Sequence, residues 1–305
     1  MIRPTVLDID RSVVPPARSI VVPLDHWQEA LRFGCSLRTL ARFDQVLAEL
    51  PLRGPVLLGS GDFHHLSWPL IARVPGDERF QVVVLDNHPD NMRYPFGVHC
   101  GSWVRRVAML PRVCHVHVVG IGSSDIGAAH AWENYRSPLR EGRLSYWSVG
   151  VDVSWAARAG LAHAFHGFDD VAALVDAFRA YQADERLPAY LSIDKDVFAE
   201  DVARTNWDQG MFRLDDALAI IRCLRGGLIG SDITGEVSHY RYRTWWKRLL
   251  SARDAQPAVD KRELVRWQAQ QHALNERLLA AIAERSGTDW ADLKPPASRE
   301  CLRSP

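Results

Sequence analysis

Net charge is the first thing this sequence lacks. Its 305 residues set 37 lysines and arginines against 37 aspartates and glutamates. No excess of one sign draws it to nucleic acid or to an anionic membrane surface. It also lacks any run of about 18 uncharged apolar residues, the length a membrane-spanning helix needs. The opening stretch MIRPTVLDIDRSVVPP has acids where a signal peptide keeps its apolar segment. Cysteine is sparse: Cys35, Cys100, Cys114, Cys223 and Cys301 are scattered, odd in number and nowhere spaced C-x-x-C. That argues against a thiolate zinc site or a disulfide framework and fits a reducing, cytoplasmic setting. Internal repeats and low-complexity segments are missing too. What remains, at 47% apolar and 24% charged residues, is the composition of an ordinary globular protein.

Apolar runs alternate with helical patterns along most of the chain. SIVVPL, GPVLLGS, RFQVVVLD, CHVHVVGIG, GRLSYWSVG, PAYLSIDKD and GGLIGSDI read as buried strands. Between them HWQEALRFGCSLRTLARFDQVLAEL, LSWPLIARV, SWVRRVAML, GAAHAWENYR, FDDVAALVDAFRAYQ and RLDDALAIIRCLR have helical periodicity. Uncharged, β-branched strands separated by crossover-length helices predict a three-layer α/β/α fold with a mostly parallel central sheet. Beyond residue 240 the strand pattern ceases. RYRTWWKRLLSARD and DKRELVRWQAQQHALNERLLAAIAERSG read as C-terminal helices packed on the sheet or on a neighbouring subunit. One domain is expected over 1–305, with 241–305 a helical extension whose end is loose.

Polar clusters gather where strands end, the place where open parallel sheets build their sites. LLGSGDFHHLS offers Asp62, His64 and His65, and LDNHPDNMRYPFGVHCGSW offers Asp86, His88, Asp90 and His99. LSIDKDVF adds Asp194 and Asp196, and LIGSDITGEVSHY adds Asp232 and Glu236. Singly, each has a dull explanation as a solvated loop or a helix cap. Together they bring several carboxylates and at least two imidazoles to one region, and burying such a set unpaired costs several kcal/mol per group, roughly. An oxygen-rich set with some imidazole suits manganese or a similar hard divalent ion. The number of donors exceeds what one ion with an open position needs, which points to two.

The motifs D-x-H-x-D at Asp86, His88 and Asp90 and S-x-D-x-D at Ser192, Asp194 and Asp196, in this order, resemble the ureohydrolase (arginase and agmatinase) superfamily. GSGDFHH is similar to its glycine-rich segment, VVGIGSSDI to its central strand and turn, and LIGSDITGEVS to its late strand ending in an acid. The resemblance runs over residues 50–240 and implies an arginase-like fold with two Mn2+ ions. Asp86 and Asp194 would bridge the ions. Asp90 and one of His64 and His65 would complete one shell, and His88 and Asp196 the other. His99 would be the proton-shuttling histidine, and Glu236 would grip a guanidinium by two parallel N–H bonds. The implied reaction is hydrolysis of a C–N bond in a guanidino or amidino small molecule, two cations lowering the pKa of a shared water.

The sequence also departs from that pattern. Phe63 separates Asp62 from the histidines, which leaves His64 and His65 both open as ligands, with the Gly61-Asp62 register favouring His64 and placing His65 behind it. No proline follows Asp196, and Asp125 is followed by Ile126 and Gly127 where a second acid is expected. The substrate pocket is therefore expected to be the chain's own, with Asp125, Trp207, Gln209 and His239 as lining residues and Arg93, Tyr94 and Phe96 bearing on substrate choice. Cys100 as a nucleophile, His115 and His117 as core residues, and His163 and His166 as solvated or capping residues are the lesser readings. Alternative functions are amide hydrolysis of the deacetylase type and a non-catalytic metal-binding regulator. A small-molecule substrate is the expected partner, with no nucleic acid and no membrane, and a homo-oligomer is open.

Overall fold

The computed structural model describes residues 3–50, 52, 54–245, 247–249 and 261–286. Among them, strands β1 (Thr5–Asp8), β2 (Ile20–Pro23), β4 (Val56–Gly59), β5 (Phe80–Leu85) and β7 (Val113–Ile121) join one sheet with β8 (Leu144–Val149), β9 (Phe165–Phe168), β10 (Ala189–Asp194) and β11 (Leu228–Thr234). The order is β2-β1-β4-β11-β10-β5-β7-β8-β9, and every pairing is parallel. Two short strands, β3 (Gly34–Cys35) and β6 (Val98–His99), pair antiparallel outside it.

Why the middle of the sheet reads as unbroken apolar runs follows from its two covered faces. β4, β5, β8 and β10 are buried at every position. On one face the helices Leu37–Glu49, Ser67–Ala72 and Val104–Ala108 contribute Leu40, Phe43, Leu70, Ile71, Val104 and Val107. On the other, Val171–Tyr181, Leu214–Cys223 and Lys261–Arg285 contribute Leu174, Phe178, Ile220, Ile221, Leu274 and Leu278. This is the expected three-layer α/β/α arrangement, with the C-terminal helix packed on the helix Leu214–Cys223 and on β11.

Three local expectations change. β1 and β9 are additional strands: TVLD runs straight into the acids of the opening stretch, and FHGF is only partly buried at the sheet edge. HWQEALRFGCSLRTLARFDQVLAEL is not one helix: it breaks after Leu31, and a new helix starts at Leu37 with Ser36 as its cap, the Ser36 side chain accepting from Thr39 N. At the break Phe33 has φ 68, a conformation that a bulky residue adopts only when its surroundings hold it. Arg32 is turned into the core, paired with Asp10 at 3.1 Å and Asp62 at 2.7 Å. GAAHAWENYR folds as successive turns rather than a helix. Trp246, Cys301 and the end of the C-terminal extension lie outside the described residues.

The order of the sheet sets up the site. β4, β11, β10 and β5 are consecutive neighbours, so the four polar clusters expected at strand ends lie side by side in space.

Candidate metal centre

Two clusters of donors share Asp86. On one side His64 Nδ1 lies 3.2 Å from Asp86 Oδ2, 2.9 Å from Asp90 Oδ2 and 3.4 Å from Asp194 Oδ2. On the other, His88 Nδ1 lies 3.6 Å from Asp86 Oδ1 and 3.0 Å from Asp196 Oδ2. Asp86 thus turns one oxygen to each cluster. In both His64–Asp86–Asp90 and Asp86–His88–Asp196 the ligand atoms all fall within 4.8 Å of one another. All four aspartates are buried, and among the described residues no lysine or arginine forms an ion pair with any of them.

Local structure explains how each side chain arrives. Asp86 directly follows β5 and His88 N donates to its Oδ1, fixing the turn. Asp90 sits at φ 45, a left-handed conformation that aspartate tolerates better than most residues. The indole of Trp103 donates to Asp90 Oδ2 at 2.6 Å. Asp194 closes β10 and caps the short turn that carries Asp196. Gly235 has φ 86, and a Cβ there would lie 2.4 Å from Asp194 Oδ1, so only glycine lets β11 end this close to the cluster.

Hydrogen bonding sets the tautomer of both imidazoles. Ser192 Oγ gives its hydrogen to Asp232 Oδ1 at 2.7 Å, so at 3.0 Å it accepts from His64 Nε2. His88 Nε2 donates to Asp208 Oδ1 at 2.8 Å. With its hydrogen on Nε2, a neutral ring would turn the lone pair of Nδ1 toward carboxylate oxygens. His64 Nδ1 and Asp86 Oδ2 are buried close together yet have no aligned hydrogen-bond partner. A cation at the common point would satisfy these facing donor atoms in place of a proton. Protons are another source of balance. Burial disfavours charge on His64 and His88, but the carboxylates beside them raise both above the ordinary imidazole range. Burial, then the Asp86 charge, push Asp90 up to about 7 and Asp196 up to about 6.

The clusters open into a cleft of about 540 Å³ whose wall includes Phe33, Tyr94, His99, Asp125 and Trp207. His99 Nδ1 accepts from Gly101 N at 3.0 Å, which puts the ring hydrogen on Nε2. Burial lowers its pKa to about 4, so the ring is neutral near pH 7. The ring packs on Phe33 and edge-on against Tyr94.

Several expected site residues lie elsewhere. His65 belongs to neither cluster: it is wholly buried, its Nε2 4.0 Å from Cys35 Sγ. Glu236 is not on the cleft wall. The turn at Gly235 sends it beneath the site, where it pairs with Lys195 Nζ at 2.5 Å and accepts from Asn275 Nδ2 at 2.7 Å. Its Oε1 is engaged by both groups and the side chain is buried away from the cleft wall, so it does not offer two free oxygens to a guanidinium there. Gln209 faces its own loop, donating to Phe198 O and Ala203 O and accepting from Thr205 N. His239 is exposed and outside the cleft. Asp232 lies within β11, not at its end, and accepts from Ser67, Tyr190 and Ser192. Phe96 is 77% exposed, whereas Arg93 and Tyr94 line the cleft. Cys100 packs with Phe33 and Tyr242. His117 is a core residue against Trp147 and Phe178, His163 bonds Leu139 O, and His166 stacks on Trp147. Asp208 escaped the sequence reading although Trp207 and Gln209 flank it, since a lone loop acid carries no signal until the fold brings it to His88.

No family model matches the chain. It is 29% identical over 184 residues to an uncharacterized protein of Thermotoga maritima, covering 60% of this chain and 58% of that protein. The match thus spans less than two-thirds of the relative. Among solved structures the chain is similar to formimidoylglutamase from Bacillus subtilis, at 13% identity and TM-score 0.49, over 92% of this chain and 87% of that one. It is also similar to the proclavaminate amidino hydrolase from Streptomyces clavuligerus, at 18% identity and TM-score 0.47, over 82% and 70%.

Proposed function

We propose that this chain is a divergent ureohydrolase, a hydrolase that cleaves a C–N bond of a guanidino- or amidino-type small molecule with the help of two manganese ions. The observation that carries this is the pair of buried clusters sharing Asp86, each with one imidazole Nδ1 facing carboxylate oxygens. Their donors fit the group. Carboxylates with one imidazole per cluster match manganese better than a thiolate-seeking metal. His64, Asp86, Asp90 and Asp194 would hold one ion, and Asp86, His88, Asp194 and Asp196 the other. Such ions supply Lewis acidity and water activation.

The chain's own residues do the rest. His99, neutral near pH 7, is the proton shuttle at the cleft wall: it takes up the proton released by the attacking water and passes it to the departing nitrogen. Trp207 and Phe33 narrow the approach and exclude water on one side. Asp125 and Tyr94 face the substrate's remaining part. The engagement of Glu236 by Lys195 favours a second reading, a neutral amide carbon in place of a guanidinium.

Metal analysis of protein prepared without chelator tests the core of this reading. Close to two ions per chain are expected, and fewer than about one overturns it. Release of urea or ammonia from a panel of guanidino, amidino and acylated amino compounds then separates the two substrates. Asp194→Ala should lose metal. His99→Ala should keep it and slow turnover by about 10²–10⁴-fold.

A further inference from the structure

The two imidazoles of the site are anchored in different ways. His64 leans on a buried chain, Nε2 to Ser192 Oγ to Asp232, and Asp232 also accepts from Ser67 and Tyr190. His88 leans on one carboxylate, Asp208 Oδ1 at 2.8 Å, whose side chain is 68% exposed. Asp208 belongs to a loop that is nonetheless firmly built. Asn87 Nδ2 donates to Asp208 O at 3.1 Å and to its Oδ2 at 3.2 Å. Asn87 also reaches the second cluster directly, its N donating to Asp196 Oδ1 at 3.1 Å. Trp207, next in the chain, stands edge-on against the His88 ring at 6.1 Å.

We infer that Asp208 is a positioning residue that holds His88 as a metal ligand and sets the affinity of the second ion site alone. The inference rests on the two-metal reading above. A carboxylate on the far nitrogen fixes the ring's rotation and keeps the hydrogen off Nδ1, and it makes that nitrogen a better donor. Loss of such a partner costs about 10–100-fold in metal affinity. The His64 cluster shares only Asp86 and Asp194 with this side, and its own anchor is untouched.

The test is Mn2+ titration of chelator-stripped full-length protein by calorimetry, with thermal melting of the metal-free form as a control. The unsubstituted protein should show two classes of site. Asp208→Ala should weaken one class by about 10–100-fold, leaving the other and the metal-free melting temperature unchanged. Asp208→Asn, whose side-chain oxygen still accepts from Nε2, should recover most of the loss. Unchanged isotherms for Asp208→Ala would overturn the inference and leave the two-metal reading intact, and so would equal weakening of both classes. A protein that binds no Mn2+ before any substitution overturns both.

Discussion

Glu29 accepts from the Tyr240 hydroxyl at 2.5 Å, the Thr244 hydroxyl at 2.6 Å, Thr244 N at 2.9 Å and Arg243 N at 3.2 Å. It ties the start of the C-terminal segment to the broken helix beside the cleft. Burial raises its pKa, but these hydrogen bonds outweigh burial and bring it from 4.5 down to about 2. A carboxylate held below its unfolded value stabilises the fold fully above that value, and the contribution is lost as pH falls through the folded one. Glu29→Gln should therefore melt at a lower temperature than the unsubstituted protein at pH 7. The gap should shrink between pH 4.5 and about 2, as read by melting curves across that range. At this scale the sequence was legible where residues came in motifs: Asp86, His88, Asp90, Asp194 and Asp196 meet as their spacing suggested. It was illegible where a role depends on a partner far along the chain, as for Asp208 on His88 or Glu236 on Lys195.

The C-terminal helix Lys261–Arg285 is more than a cover for the sheet. Gln271 donates to Arg204 O and Gly235 O and accepts from Val237 N, while Asn275 bridges Lys195 and Glu236. Lys195 is wholly buried between the two aspartates of the D-x-D turn, so this element reaches the site from behind. Removing one member of a buried ion pair leaves the other uncompensated, at a cost of about 3–5 kcal/mol, whereas replacing both by apolar groups is often neutral. Glu236→Leu should lose about that much in urea unfolding, and Lys195→Met with Glu236→Leu should recover it. A substrate-gripping Glu236 would show no such rescue. Buried strands such as RFQVVVLD and helices with a clear apolar face were legible as elements. The helix predicted across Arg32–Ser36 failed because periodicity cannot register a buried arginine whose partners, Asp10 and Asp62, lie on other elements.

Across the whole molecule, the candidate ligands come from the ends of β5 and β10 and from the turn after β4, which separate strands place in the middle of the sheet. Ions held there would tie together segments remote in sequence, and a ligand that binds only the folded chain stabilises it by about 2.7 kcal/mol per site at a hundredfold excess over Kd. Chelation should lower the melting temperature and Mn2+ restore it, with a dependence on free metal concentration that magnesium does not reproduce at equal concentration. Each cluster also has an indole beside it: Trp103 lies 4.8 Å from the His64 ring and Trp207 6.1 Å from the His88 ring. A paramagnetic ion in either place would quench the fluorescence of its own tryptophan most strongly, so the two indoles would serve as separate optical gauges for the two candidate ion sites.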